Sequence, residues 1–186
     1  ETPLWRGDDY KKEGIPFLRS ENLIAGGLDL SDIVFIDMRV HNRMHRSRIL
    51  PNDVLLAIVG ATIGNTGLVT NEYREYNSNQ ANAIVRPSSP ELAAYLSIVL
   101  ESEVCQIQIE RLKGGGARDN LDLHEVKSIL VPKPTSEMIK YCAEVVSETH
   151  ELNKRSSDFY SQAENLLLEE LGLKNFEEGS GLYSVV

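Results

Sequence analysis

The hydrophobic positions of this chain follow two patterns. From Gly14 to Pro87, short runs rich in Ile, Val, Leu and Phe (GIPFLRS, IVFID, VLLAIVG, TGLVT and NAIVRP) alternate with turn clusters such as AGGLDLSD, PND and GNTG. Runs of this length, broken at this spacing, predict a compact, mainly antiparallel β domain and not alternating βαβ units. Residues 91–112 then read as one helix, with Ser88 or Ser89 as N-cap and Pro90 in its first turn. Gly114–Gly116 stops that helix, and ILVPKP (129–134) reads as a last short strand ended by prolines.

From Ser136 the period changes. Ser136 reads as an N-cap, and neither Gly nor Pro follows until Gly172. Met138, Val145, Leu152, Phe159 and Leu166 recur every seventh position, with the small residues Cys142, Thr149, Ser156 and Ala163 between them. This 4–3 spacing is a coiled-coil seam of large knobs alternating with small partners. About 35 helical residues at 1.5 Å each reach roughly 50 Å, a long way to fold back on one small domain. The seam therefore predicts a second helix against it, the alternative being a helix packed only on its own domain. The expected fold is α+β: a β-rich globular domain with packed helices over 1–135, a long coiled-coil-type helix over 136–173, and a tail over 174–186.

Composition narrows the functional classes. The chain has 186 residues, 41% hydrophobic and 25% charged, which is a soluble globular composition. Its apolar runs are strand-length, so no membrane span is expected. Cys105 and Cys142 have no CxxC spacing and read as thiols in a reducing, cytoplasmic setting. The four histidines show no HExxH or paired spacing near the cysteines, and His41 and His45, four apart, sit in an arginine-rich stretch that repels a metal, so no metal is expected. The net charge is −9, but residues 137–186 carry ten acids against four bases, while 1–136 carry eighteen against fifteen. Any surface that meets a polyanion must lie in the first three quarters. The chain opens at ETPLW without Met, and is expected to be a piece of a longer protein or to have a trimmed terminus.

The glycine-rich run VLLAIVGATIGNTGLV (54–69) invites a phosphate-binding reading and fails it. GATIGNTG lacks the GxxxxGK[ST] lysine, and no Lys or Arg stands between Arg48 and Arg74. The GxGxxG spacing of a dinucleotide loop is also absent. Asn65 and Gly67 instead suit positive-φ positions in a turn between two strands. No GxSxG elbow, Cys–His or Ser–His pairing, nuclease-type carboxylate set or [DNS]PPY tetrapeptide appears, so no self-contained active site is expected.

Three polar segments carry candidate chemistry for a nucleic acid. RVHNRMHRSR supplies Arg39, His41, Arg43, His45, Arg46 and Arg48, with no acid between Asp37 and Asp53. Such a block can neutralise phosphates or fork onto guanine, or it can be a solvated loop. ERLKGGGARDN (110–120) places Lys113, Arg118 and Asn120 around three glycines, where free amides can donate to phosphate oxygens or simply form a flexible connector. YNSNQAN (76–82) holds four side-chain amides. Of these Asn79 and Gln80 suit adenine, and Asn77 suits turn capping. Thr62 and Asn65, in the glycine turn, join the candidate DNA contacts.

Four fragments in order resemble the target-recognition half of the specificity subunit of type I restriction-modification enzymes. GIPFLRSENLIAGGLDL (14–30) is similar to the family's G-I-P-(F/Y)-(L/I)-R-x-x-N-I opening. ILPNDVLLAIVGATIGNTGLV (49–69) is similar to L-x-x-G-D-(V/I)-L…G-(A/S/T)-x-I-G. The Asn-Gln of YNSNQANAIVRP and the segment GGGARDNLDLHEVKSILVPKP (114–134) complete the series before the long helix. Two departures stand out: Asn52-Asp53 replaces Gly-Asp, and SEMIKYC replaces a Glu-Gln pair after the final prolines. The resemblance implies a non-catalytic module that binds double-stranded DNA and directs methyltransferase and restriction subunits, with S-adenosylmethionine on the methyltransferase and no cofactor on this chain. It also implies that the long helix pairs with a second copy or with the second half of the same subunit. Two other readings stay open: a piece of a fused restriction-methylation enzyme, and a β-rich interaction module with a coiled-coil tail.

Overall fold

The computed structural model describes residues 10–113 and 120–173. The chain divides into two compact units, 1–143 and 144–186. In the first, nine short strands form three small sheets: β1 (Ile15–Leu18), β2 (Leu23–Ile24), β3 (Gly27–Leu28), β4 (Val34–Ile36), β5 (Arg48–Ile49), β6 (Val54–Ala57), β7 (Thr66–Leu68), β8 (Tyr76–Ser78) and β9 (Asn82–Val85). Their order is β4-β1-β8-β5 in one sheet, β7-β6-β9 in another, and β2-β3 as a hairpin. Among the described residues four helices accompany them, α1 (Met38–Arg43), α2 (Pro90–Glu101), α3 (Glu103–Leu112) and α4 (Leu123–Ser128), and α5 (Ser136–Glu170) starts in the first unit and runs through the second. The fold is a mixed α+β arrangement with mainly antiparallel sheets, as expected.

β6 shows why these residues form these strands. All four of its side chains are buried. Val54 and Leu56 enter one apolar cluster with Ala93, Tyr95, Cys105 and Ile109 from α2 and α3. Leu55 and Ala57 enter another with Leu18, Ile49 and Tyr76. The alternation of the strand thus feeds two cores from one central ladder. Leu18 O accepts from Ser78 Oγ at 2.7 Å and from Asn82 Nδ2 at 3.4 Å, which ties β1, β8 and β9 together.

The glycine run is a strand, a turn and a returning strand, with its left-handed positions corrected. Gly60 and Gly64 take φ of +93° and +97°, whereas Asn65 and Gly67 do not. Gly67 is needed for space, since a Cβ there would stand 2.6 Å from Leu28 Cδ2. Asn52 also takes a left-handed φ of 69°. Asn tolerates that region better than any other non-glycine residue, which explains how Asn52 occupies a glycine position of the family pattern.

Three other expectations change. The helix over 91–112 breaks at Ser102 into α2 and α3, bent by 64°. ILVPKP forms no strand, because its backbone groups bond to side chains. Gln108 brackets Leu130, accepting from its N–H at 2.8 Å and donating to its carbonyl at 3.0 Å, and Tyr95 Oη donates to Pro132 O at 2.6 Å. β1 pairs with β8 in parallel, joining residues about sixty positions apart in sequence. Among the described residues no single helix is long and apolar enough to cross a membrane.

α5 runs 35 residues, and Thr135, one residue before the expected Ser136, caps it by accepting from Met138 N–H at 3.2 Å. Cys142, expected in the seam, lies half-buried against the first apolar cluster of the globular unit. Met138 is exposed and Val145 half-buried. Further along, Leu152, Ser156, Phe159 and Ala163 line one shallow concavity of 470 Å³ with Arg155 and Tyr160. Thr149 and Leu166 are exposed on the same helix.

Candidate nucleic-acid interface

The arginine block is not a loop. Asp37 caps α1 by accepting from Arg39 N–H at 2.7 Å, and that bond, with the Arg39 charge, holds the Asp37 carboxyl below the usual carboxylate range. The helix ends at Met44, and His45–Ser47 continue as a 3-10 turn into β5. The helical period then sorts the block into two sets. His41 and Met44, three apart, are buried, while Arg43, His45 and Arg46 are exposed. Among the described residues none of those three side chains forms an ion pair.

These cations share a groove with the candidate amides. A concave surface of 930 Å³ is lined by Arg43, His45, Arg46 and Ser47, by Ser78, Asn79, Gln80 and Asn82, by the apolar Ile58, Ala83 and Ile84, and by Asp122 and Leu123. Segments about thirty-five residues apart in sequence therefore present guanidinium, imidazole and amide groups to one space. Asp122 adds one carboxylate to this lining and caps α4 by accepting from His124 N–H and Glu125 N–H at 2.7 and 2.8 Å. Asn120 is exposed and bridges Val59.

The remaining candidates are placed elsewhere. His41 has no exposed surface and is corrected to a core residue: Asn77 Nδ2 lies 3.0 Å from its Nδ1, and Glu75 Oε2 lies 3.2 Å from its Nε2 but outside hydrogen-bond alignment. Arg39 is 91% exposed and pairs with Asp37. Arg48 is half-buried and donates to Asn42 Oδ1 at 2.5 Å. Thr62 Oγ1 donates to Ser20 O at 3.2 Å and Asn65 Nδ2 to Leu23 O at 2.8 Å, so both brace the glycine turn. Lys113 pairs with Glu110 three residues before it. Arg118 lies outside the described residues.

Asn79, not Asn77, caps the β8–β9 turn, its Oδ1 accepting from Ala81 N–H at 3.0 Å. Asn77 is instead wholly buried beneath the arginine turn. A second missed pair is Asp53 and Arg86. Asp53 is 1% exposed and accepts from Leu50 N–H at 2.8 Å, while Arg86 Nε and Nη2 reach its two oxygens at 2.7 Å each. This bidentate fork raises the Arg86 guanidinium further above its ordinary range. It also gives the aspartate of the Asn52-Asp53 pair a structural task at the head of β6. Cys105 is buried and its thiol is pushed up by that burial, which makes it a poor nucleophile. Among the described residues no three His, Cys, Asp or Glu side chains gather to hold a metal.

No protein-family model matches the chain. The specificity subunit of the type I restriction enzyme EcoBI from Escherichia coli is 32% identical over 164 residues, 86% of this chain and 31% of that protein. This chain is homologous to a segment of a type I restriction-enzyme specificity subunit. Among solved structures, the S subunit of a type I restriction-modification system from M. genitalium aligns with a TM-score of 0.55 at 15% identity, over 83% of this chain and 37% of that one. A chain from work on complex assembly and conformational transition of a type I R-M system aligns at 0.50, again at 15% identity, over 87% and 38%. The two alignments show that the specificity-subunit fold is shared. The homologue spans about a third of the length of each of these proteins.

Proposed function

We propose that this specificity-subunit homologue is a sequence-specific DNA target-recognition module, with no catalytic site of its own. The recognition part is 1–135 and the helix of 136–173 is the spacer and pairing element. The observation that carries the reading is the single groove that collects Arg43, His45 and Arg46 from one segment and Asn79 and Gln80 from another. Guanidinium forks suit guanine and phosphate, and amides suit adenine edges. In this role the module directs methyltransferase and restriction subunits to their site in the cytoplasm, and S-adenosylmethionine belongs to the methyltransferase. The acid-rich long helix, away from the cationic groove in sequence, suits contact with protein and not phosphate.

The test is enrichment from a randomised duplex pool by the chain, alone and with its methyltransferase partner. A recognition module enriches one defined sequence. A pool that stays random in both cases, with binding no tighter than to bulk duplex, contradicts the proposal.

A further inference from the structure

The groove cations stand on a turn that one buried amide holds. Asn77, in β8, has no exposed surface and touches that turn on both sides. Its Oδ1 accepts from Ser47 Oγ at 2.7 Å and from Ser78 N–H at 2.8 Å. Its Nδ2 donates to Met44 O at 3.3 Å and lies 3.0 Å from His41 Nδ1. Met44 and Ser47 bound the segment that carries His45 and Arg46, and His41 sits two residues before Arg43.

The chemistry of these partners fixes the amide. Turned over, it would set its NH2 against the Ser78 N–H and its oxygen against the Met44 carbonyl. Oriented as it is, Nδ2–H points at His41 Nδ1, so that nitrogen carries no proton and the ring proton sits on Nε2, beside Glu75. A donor placed on Nδ1 would face a donor on Asn77. All four partners are thus satisfied by one side chain of one type in one orientation. A buried polar network of this kind specifies a single arrangement of what it holds.

We infer that Asn77 is a positioning residue for DNA recognition: acting through Met44, Ser47 and the Nε2–H form of His41, it sets where Arg43, His45 and Arg46 stand in the groove. The inference rests on the DNA-recognition reading for its specificity and not for its structural part. Base readout depends on side-chain placement, whereas phosphate attraction tolerates displacement. Loss of Asn77 is therefore expected to blur sequence choice while leaving bulk duplex attraction in place.

Three measurements test it, two on Asn77→Leu and the milder Ser47→Ala and one on the wild type and Asn77→Asp. Amide hydrogen exchange over 44–48 is expected to accelerate about tenfold or more in N77L, with the amides of the β6 and β9 ladder (54–57 and 82–85) unchanged. Selection from the randomised duplex pool is expected to lose its enriched sequence, with an affinity drop of roughly tenfold for the wild-type site and little change for bulk duplex. S47A, which removes one donor and keeps the rest, moves both readouts less and in the same direction, and it serves if N77L does not fold. Nitrogen NMR of His41 is expected to show an unprotonated Nδ1 in the wild type. In N77D, whose carboxylate accepts from the ring, the proton moves to Nδ1. An unchanged exchange rate over 44–48, a wild-type Nδ1 that carries the proton, or an N77L variant that enriches the wild-type sequence each overturns the inference. Should the wild type enrich no sequence at all, the recognition reading fails, and the exchange and nitrogen results alone decide the positioning claim.

Discussion

In the globular unit Leu18, Ile49, Leu55 and Leu56 have no exposed surface, whereas on the long helix Leu152, Phe159 and Leu166 leave 54%, 62% and 62% of theirs in water. Both sets are large and apolar, and their surroundings differ. The first set sits on strands and helices that close on one another within 1–143. The second repeats every seventh residue along a helix none of whose described side chains is buried. An apolar seam of this kind is what the proposed pairing element requires, with the small Ser156 and Ala163 between the large residues leaving room for a second helix. The globular unit buries its large apolar side chains within itself, and the helix leaves its seam in water.

That contrast can be broken most forcefully at the seam. The pair Leu152→Glu and Phe159→Glu is expected to abolish self-association or methyltransferase-subunit binding in sedimentation, with the globular unit melting as before. A wild type that is monomeric and ignores the methyltransferase subunit contradicts the seam's role. A sharper form compares two truncations of one residue type. Leu56→Ala is expected to cost about 3 kcal/mol in denaturant unfolding, because a buried leucine leaves a cavity. Leu152→Ala is expected to stay within about 0.5 kcal/mol. Equal costs would mean that the helix is buried in solution.

Smaller effects probe how the globular unit holds itself. Arg86→Ala removes a fork from the buried Asp53 carboxylate and is expected to cost about 2 kcal/mol, moderated because water reaches the guanidinium. The smallest effect concerns acid. The Asp37 carboxyl is held below its ordinary range when folded, so its support of α1 is complete at neutral pH and is lost as pH falls through the carboxylate range. Asp37→Asn is expected to flatten that part of the acid-melting profile slightly. An unaltered profile would remove the cap from the account.

The sequence made the strands, the glycine turn and the long helix legible because each depends on local periodicity and local turn chemistry. It also marked the cations and amides of the groove. What it hid was set by distant partners. His41 reads as one more cation of its block, and only the fold reveals that α1 turns it inward onto Asn77, thirty-six residues away. The break at Ser102 carries no Gly or Pro. It follows from a serine that ends α2, its Oγ donating to Val99 O at 2.5 Å, and from packing of α2 and α3 on one cluster. The strand expected at ILVPKP failed because Gln108 and Tyr95 supply its partners. α4, by contrast, had a readable signal in Asp122-Leu-His-Glu125, a reciprocal capping box formed in the structure.

The central claim is that the groove beside α1 receives duplex DNA. Its most direct test is the salt dependence of duplex binding by the wild type and by the double variant Arg43→Ala, Arg46→Ala. If both arginines meet phosphates, the log–log slope falls in magnitude by about 1.8 and affinity drops across all sequences; if one reads a base, the slope falls by about 0.9 and the enriched sequence changes. An unchanged affinity with an unchanged slope would place the DNA elsewhere and contradict the account.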